Sequence, residues 1–227
     1  MFGAVADSRL DTYCEKSYVD WLRTQTCSFR PKDGYTDSWL LDVPELYAKR
    51  APGKTCMEAI KSLMEHEEPK NDSCGCGSVM RTAPVALLSY VHQYADGGQL
   101  YVDMVAAQAA RMTHKHPLGY MPSAVLNHLL MDILGGDVVG SERLAFHVDR
   151  AAAALPEILS EEDGNKPYGE LWPKYVTRLQ EIIRQALDLA NSDIPDIQAI
   201  AQIGEGWTGH EALAIAVYSA VKHASSF

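Results

Sequence analysis

Asn71-Asp-Ser-Cys-Gly-Cys-Gly-Ser-Val-Met-Arg-Thr-Ala-Pro84 sets small residues, two glycines, a hydroxyl and a guanidinium ahead of an apolar run, Val85 to Val91. Thr82 has a side chain suited to capping helical amides, and proline is tolerated in a first helical turn, so a helix should open here. A glycine-bearing loop feeding a helix N-terminus presents outward amides and a positive dipole end, which suits an anion such as a phosphate. The candidates for that chemistry are the amides of Gly75, Gly77 and Ser78 and the Ser78 hydroxyl. Arg81 could pair with a phosphate bidentately or turn inward onto a loop carbonyl. A β-branched residue at Gly77 should block close backbone approach and any positive φ. The alternative is an ordinary turn with no ligand.

Two other segments have residue types that do chemistry. His114 and His116 stand in Thr113-His-Lys-His-Pro-Leu-Gly-Tyr120, a turn between apolar stretches, where imidazole can meet a ligand, water or a helix end. Glu205 and Trp207 lie in Gly204-Glu-Gly-Trp-Thr-Gly209, before the apolar run that ends near Lys222. Trp207, by residue type alone, is often a core plug. Cysteines 14, 27, 56, 74 and 76 are odd in number and irregularly spaced, which gives neither a disulfide framework nor a paired zinc pattern. Cys74-Gly-Cys76 leaves a redox or metal pair as the minor alternative to two small residues in a tight loop.

The elements that position these groups read as helices. Thr55 and Glu58 have capping-box spacing ahead of Met57, Ile60, Leu63 and Met64. Helical stripes follow at Val102, Val105, Ala106, Ala109 and Met112, and at Val125, Leu126, Leu129, Leu130, Ile133 and Leu134, the latter ended by Gly135-Gly136. Leu144 to Leu159 reads as one long helix capped by Ser141. Tyr175, Val176, Leu179, Ile182, Ile183, Ala186 and Leu187 form the clearest stripe. Pro31-Lys-Asp-Gly34 and Glu161 to Pro167 are expected connectors. The expectation is one all-α globule spanning residues 1–227.

The chain is 47% hydrophobic and 22% charged, ordinary for a globular protein, with a net charge of −10. That balance argues against general nucleic-acid binding, which needs basic residues to neutralise phosphates. A local amide nest can still hold one small anion on an acidic protein. No apolar run approaches the roughly 20 residues of a membrane span, and no basic-then-apolar leader opens the chain, so no membrane partner and a cytoplasmic location are expected.

Gly75-Cys-Gly-Ser-Val-Met-Arg-Thr-Ala-Pro84 resembles the G-x-G-x-x-M-R-x-A-P segment of the ADP-ribosylglycohydrolase family, of the dinitrogenase-reductase-activating type. Thr113-His114 resembles that family's Thr-His turn, and Gly204 to Tyr218 resembles its G-x-G-W-x-x-E-E-A-L-A-I-A-L-Y helix. Tyr18 to Gln25 and Trp39 to Leu46 resemble a bacterial subgroup. The resemblance implies an all-α fold and ADP-ribose or an ADP-ribosylated substrate as partner. It implies ligand contacts at Gly75, Gly77, Ser78, Arg81, His114 and Trp207. In complete relatives it implies hydrolysis of the glycosidic bond joining ADP-ribose to a side chain or small acceptor, with two magnesium ions.

Departures from the pattern matter as much. Cys76 stands where many relatives have Asn, and His210 replaces the first of two paired glutamates, leaving Glu211. The family's Thr-Asp-Asp-Thr and Gly-Asp-Ser-Asp-Ser-Thr-Gly metal segments have no counterpart, and no Asp-Asp or Asp-x-Asp occurs. Thr36-Asp37 is the nearest echo. The chain therefore resembles the middle of such an enzyme, incomplete at both ends. It is expected to bind no metal and to be inactive alone, with a non-catalytic ADP-ribose binder or a bare helical interaction module as alternatives. Leu213, Ala216, Val217, Ala220 and Val221 would then need cover, by self-association or a completing segment.

Overall fold

The computed structural model describes residues 3–29, 38–92, 98–136, 138, 140–159 and 171–225, with side chains from residue 12 onward except at 92. The stretches 31–34 and 161–167, and the 36–37 echo, lie outside the described residues. Among the described residues there are ten α-helices and no strand: α1 (Gly3–Thr26), α2 (Lys54–Met64), α3 (Ala83–His92), α4 (Gly98–Arg111), α5 (Pro117–Leu134), α6 (Ser141–Ala153), α7 (Leu155–Ile158), α8 (Trp172–Ala190), α9 (Asp196–Ile203) and α10 (Gly209–Lys222). Short 3₁₀ turns at Trp39–Asp42, Pro44–Leu46 and Val79–Arg81 complete it. The all-α expectation is met. No helix among the described residues is long and apolar enough to cross a membrane.

Helix α5 is the central post: it packs on α3, α4, α6, α8 and α10. Its buried face combines with the α8 stripe, where Val176, Leu179, Ile182, Ile183 and Ala186 are buried, and with Leu213, Val217 and Val221 of α10. The expected uncovered face of the last helix is thereby corrected. Its large side chains are sheltered by α8, α6 and α5, and only the small Ala216 and Ala220 are exposed.

Several local expectations need correction. Gly53, not Thr55, is the N-cap of α2, and Gly140, not Ser141, is the N-cap of α6; neither makes a side-chain capping bond. The long helix read over 144–159 breaks at Ala154, because Pro156 occupies the first turn of α7 and cannot continue a ladder. Thr82 does not cap α3 with its hydroxyl, which is buried with no partner among the described residues. Ile133, assigned to the core stripe of α5, is 43% exposed.

What buries that side of α5 instead is polar. Asp103 on α4 accepts from Asn127 Nδ2 (2.8 Å) and pairs with His128 Nδ1 (2.7 Å). Asp132 pairs with His147 Nδ1 (2.6 Å) and accepts from Arg150 at 2.7 Å on both oxygens. Burial raises the Asp103 carboxyl above its ordinary range, opposed by its bonds from His128 and Asn127. Asp132 is lowered: its partial burial raises it, and hydrogen bonds from His147, Gln99 and Arg150 outweigh that.

Candidate functional site

The three chemistry-bearing segments meet at one place, at the N-terminal ends of α5 and α10. Pro122 explains part of the geometry. Lacking an N–H, it leaves the carbonyl of Leu118, four residues back, without its helical donor. Gly209 packs against that carbonyl, where an added Cβ would lie 2.9 Å from Leu118 O. The next carbonyl, Gly119 O, accepts a hydrogen bond from the Ser78 hydroxyl. Gly119 itself touches the 73–74 backbone, with an added Cβ only 2.6 Å from Ser73 O.

The 74–78 loop is then tied to the start of α10 through main chain. Gly75 and Thr208 form an isolated antiparallel bridge. Cys76 N donates to Trp207 O (3.0 Å), and Gly209 N donates to Cys74 O (2.7 Å). Asn71 secures the other flank: its Nδ2 donates to Thr113 O (3.0 Å), and its Oδ1 accepts from Ser73 N (3.1 Å) and Lys115 N (3.2 Å). Gly77 N and Ser78 N make no hydrogen bond among the described residues. They are the free donors of the loop, with Gly77 the more accessible.

Each candidate side chain now has a place. Arg81 turns inward: its Nε donates to Gly77 O (2.9 Å), its Nη2 donates to Thr113 Oγ1, and its guanidinium covers the Tyr18 ring at 4.5 Å. Burial pushes the Tyr18 hydroxyl up to about 12, partly offset by Arg81. Ser78 is buried, and its hydroxyl fastens the loop to α5.

His114 is buried under the loop, its ring edge crowding the space an added Cβ would need at Gly77 (3.2 Å) and lying 3.4 Å from one at Gly75. Burial, and then Arg81, lower its pKa to about 4. Neither Gly75 nor Gly77 has positive φ; a side chain would be crowded at Gly77, whereas the contacts at Gly75 are of ordinary van der Waals length. His116 is a helix cap: its Nδ1 accepts from Leu118 N (3.1 Å), and its ring meets Tyr175 edge-on at 4.8 Å. Trp207 is no core plug; it is 75% exposed beside the loop.

His210 is buried with Nδ1 unpartnered among the described residues, and its pKa is lowered first by burial. Glu211 folds back over Gly204, where a Cβ would lie 2.6 Å from its carboxyl carbon. Glu205 is exposed. The cysteines are free thiols, and no group of three or more His, Cys, Asp or Glu among the described residues could hold a metal ion.

Sequence reasoning missed Asn71, Thr113, Gly119 and Tyr18 as parts of this assembly. Asn71, Thr113 and Gly119 all stood inside the quoted segments; the turn-forming types of Asn71 and Gly119, and the Thr-His resemblance at Thr113, were the available signals. Tyr18 opened a segment of family resemblance, but nothing local tied it to Arg81, because that contact is long-range.

No curated protein and no solved structure matches this chain. The model of the ADP-ribosylglycohydrolase family matches residues 4–227, which include the loop, the Thr-His turn and the start of α10 described above. The chain belongs to the ADP-ribosylglycohydrolase family.

Proposed function

We propose that this chain binds ADP-ribose, free or attached to an acceptor, with its pyrophosphate held at the Gly75–Ser78 loop. The observation that supports this most is the pair of unengaged amides at Gly77 and Ser78, on a loop pinned to α10 by Cys76–Trp207 and Gly209–Cys74 bonds. Fixed amides suit a phosphate oxygen and cost little to organise on binding. Exposed Trp207, next to the loop, offers a flat apolar face to a base.

Hydrolysis of the glycosidic bond joining ADP-ribose to an acceptor is the reaction the family suggests. The sequence lacks the acidic segments that would bring magnesium, and the described residues contain no cluster to replace them. No step is therefore assigned to a metal, and this polypeptide alone is proposed not to release ADP-ribose. A non-catalytic ADP-ribose-binding role is the reading that keeps the loop and needs no carboxylate pair.

The test is a titration of ADP-ribose followed by amide NMR shifts, beside an ADP-ribose release assay with and without magnesium. Binding should be weak, with the Gly77 and Ser78 amides shifting most. Gly77→Val should abolish it, because a branched side chain must displace the His114 ring and Cys56 Sγ, which lie 3.2 and 3.3 Å from its first carbon. Undetectable binding to the folded parent at millimolar ligand would sink the reading. Chelator-sensitive release would overturn the inactivity.

A further inference from the structure

Thr113 Oγ1 has more neighbours than its single proton can serve. Arg81 Nη2 can only donate, so it fills one hydroxyl lone pair. The proton then goes either to Ala110 O, 3.3 Å away, or to His114 Nδ1, 2.9 Å away. Ala110 O already accepts from Thr113 N (3.2 Å) and His114 N (3.1 Å), which uses both its lone pairs. The nearer, unsaturated acceptor is the imidazole nitrogen. With Nδ1 accepting, a neutral His114 carries its proton on Nε2. That atom lies 3.4 Å from where a Cβ would stand on either Gly75 or Gly77.

We infer that Arg81 and Thr113 are positioning residues which fix His114 in the Nε2–H tautomer, as a hydrogen-bond donor facing the Gly75–Gly77 loop. Arg81 thus serves the site through two bonds and makes no contact with the ligand. The group received is an oxygen with only lone pairs to offer, such as a phosphate oxygen, because a donor-locked imidazole rejects a ligand N–H or a cation. Burial, and then the guanidinium beside the ring, disfavour a second proton there, so the donor stays uncharged in neutral solution. The identity of that oxygen rests on the ADP-ribose reading; the tautomer does not.

The two parts separate in one experiment. Long-range ¹H–¹⁵N correlation on histidine-labelled full chain reports which ring nitrogen of His114 bears hydrogen at pH 7. The parent should show Nε2–H, and Thr113→Ser should keep it. Thr113→Val and Arg81→Gln should each raise the Nδ1–H population, and Thr113→Val should weaken ADP-ribose binding by about fivefold to tenfold, the worth of one neutral hydrogen bond. An Nδ1–H parent, or a folded Thr113→Val protein with unchanged tautomer, would overturn the relay. If Thr113→Val fails to fold, the parent spectrum and Thr113→Ser still decide. A parent with the Nε2–H tautomer whose ring signals ignore saturating ADP-ribose would overturn the donor role toward ligand and leave the relay standing.

Discussion

Gly119→Ala is the sharpest probe of how the three segments are joined. In an ordinary helix interior this change would stabilise by up to about 1 kcal/mol, since glycine loses more backbone freedom on folding. Here the new methyl would stand 2.6 Å from Ser73 O and 3.2 Å from Cys74 Cα, both main-chain atoms that cannot rotate aside. Relief requires the 73–74 backbone or the start of α5 to move by a sizeable fraction of an ångström. Insertions into close-packed sites cost about 1–3 kcal/mol, more than the propensity gain at the upper end. A net loss of roughly 1–2 kcal/mol is expected, which for a chain of this size lowers the thermal midpoint by about 2–8 °C. Urea unfolding followed by circular dichroism measures it. Because Ser73 and Cys74 lead into the loop, ADP-ribose affinity should fall in the same variant. A Gly119→Ala protein as stable as its parent, with loop amide shifts unchanged, would refute the close-packing argument.

Two further outcomes follow from buried charge. Asp103→Ala strands Asn127 Nδ2 and His128 Nδ1 in the α4–α5 interface and should cost about 3–5 kcal/mol by urea unfolding; a loss under 1 kcal/mol would show the network to be dispensable. The folded-state pKa of His114, about 4 against 6.5, means the unfolded chain binds the extra proton first. Stability from this group is therefore complete above pH 6.5 and drains as pH falls toward 4. His116 and His210 are lowered in the same direction, whereas Asp103, raised, acts oppositely by favouring the fold at low pH. Urea midpoints across pH 4–7 should fall on acidification, and His114→Gln should flatten the slope; a flat parent profile counts against the buried neutral imidazole.

The helical class and the loop motif were legible because each is local. The α8 stripe repeats at helical spacing, and its Val176, Leu179, Ile182, Ile183 and Ala186 are all buried. Glycines 75 and 77 announced a place where backbone must come close. Their reason was not legible: the neighbour is His114, brought there by α4 and α5. Arg81 could be read either way from sequence, since a guanidinium serves a phosphate and a threonine hydroxyl equally well; only the fold shows Thr113 within its reach. The polar seam of Asp103, Asn127, His128, Asp132 and His147 was missed because apolar periodicity has no place for charge on a buried face. Caps were misassigned at Thr55 and Ser141 because their hydroxyls sit two residues and one residue past the N-cap, respectively. Thr82 stands directly before α3 but in helical conformation (φ −74°, ψ −38°), not the extended one from which a hydroxyl reaches an open amide.

The bridge between Gly75 and Thr208 has a consequence in time as well as in space. A chain leaving the ribosome exposes the glycine loop early, while its partner segment is still unmade. Until the 204–209 stretch emerges, Cys74 O and Cys76 N have no main-chain mates, and the loop amides have no fixed direction. The Gly75–Ser78 loop thus gains these main-chain partners only after the 204–209 stretch has been made. A ligand that prefers the finished loop would act as a late clasp, favouring chains whose α10 has already docked.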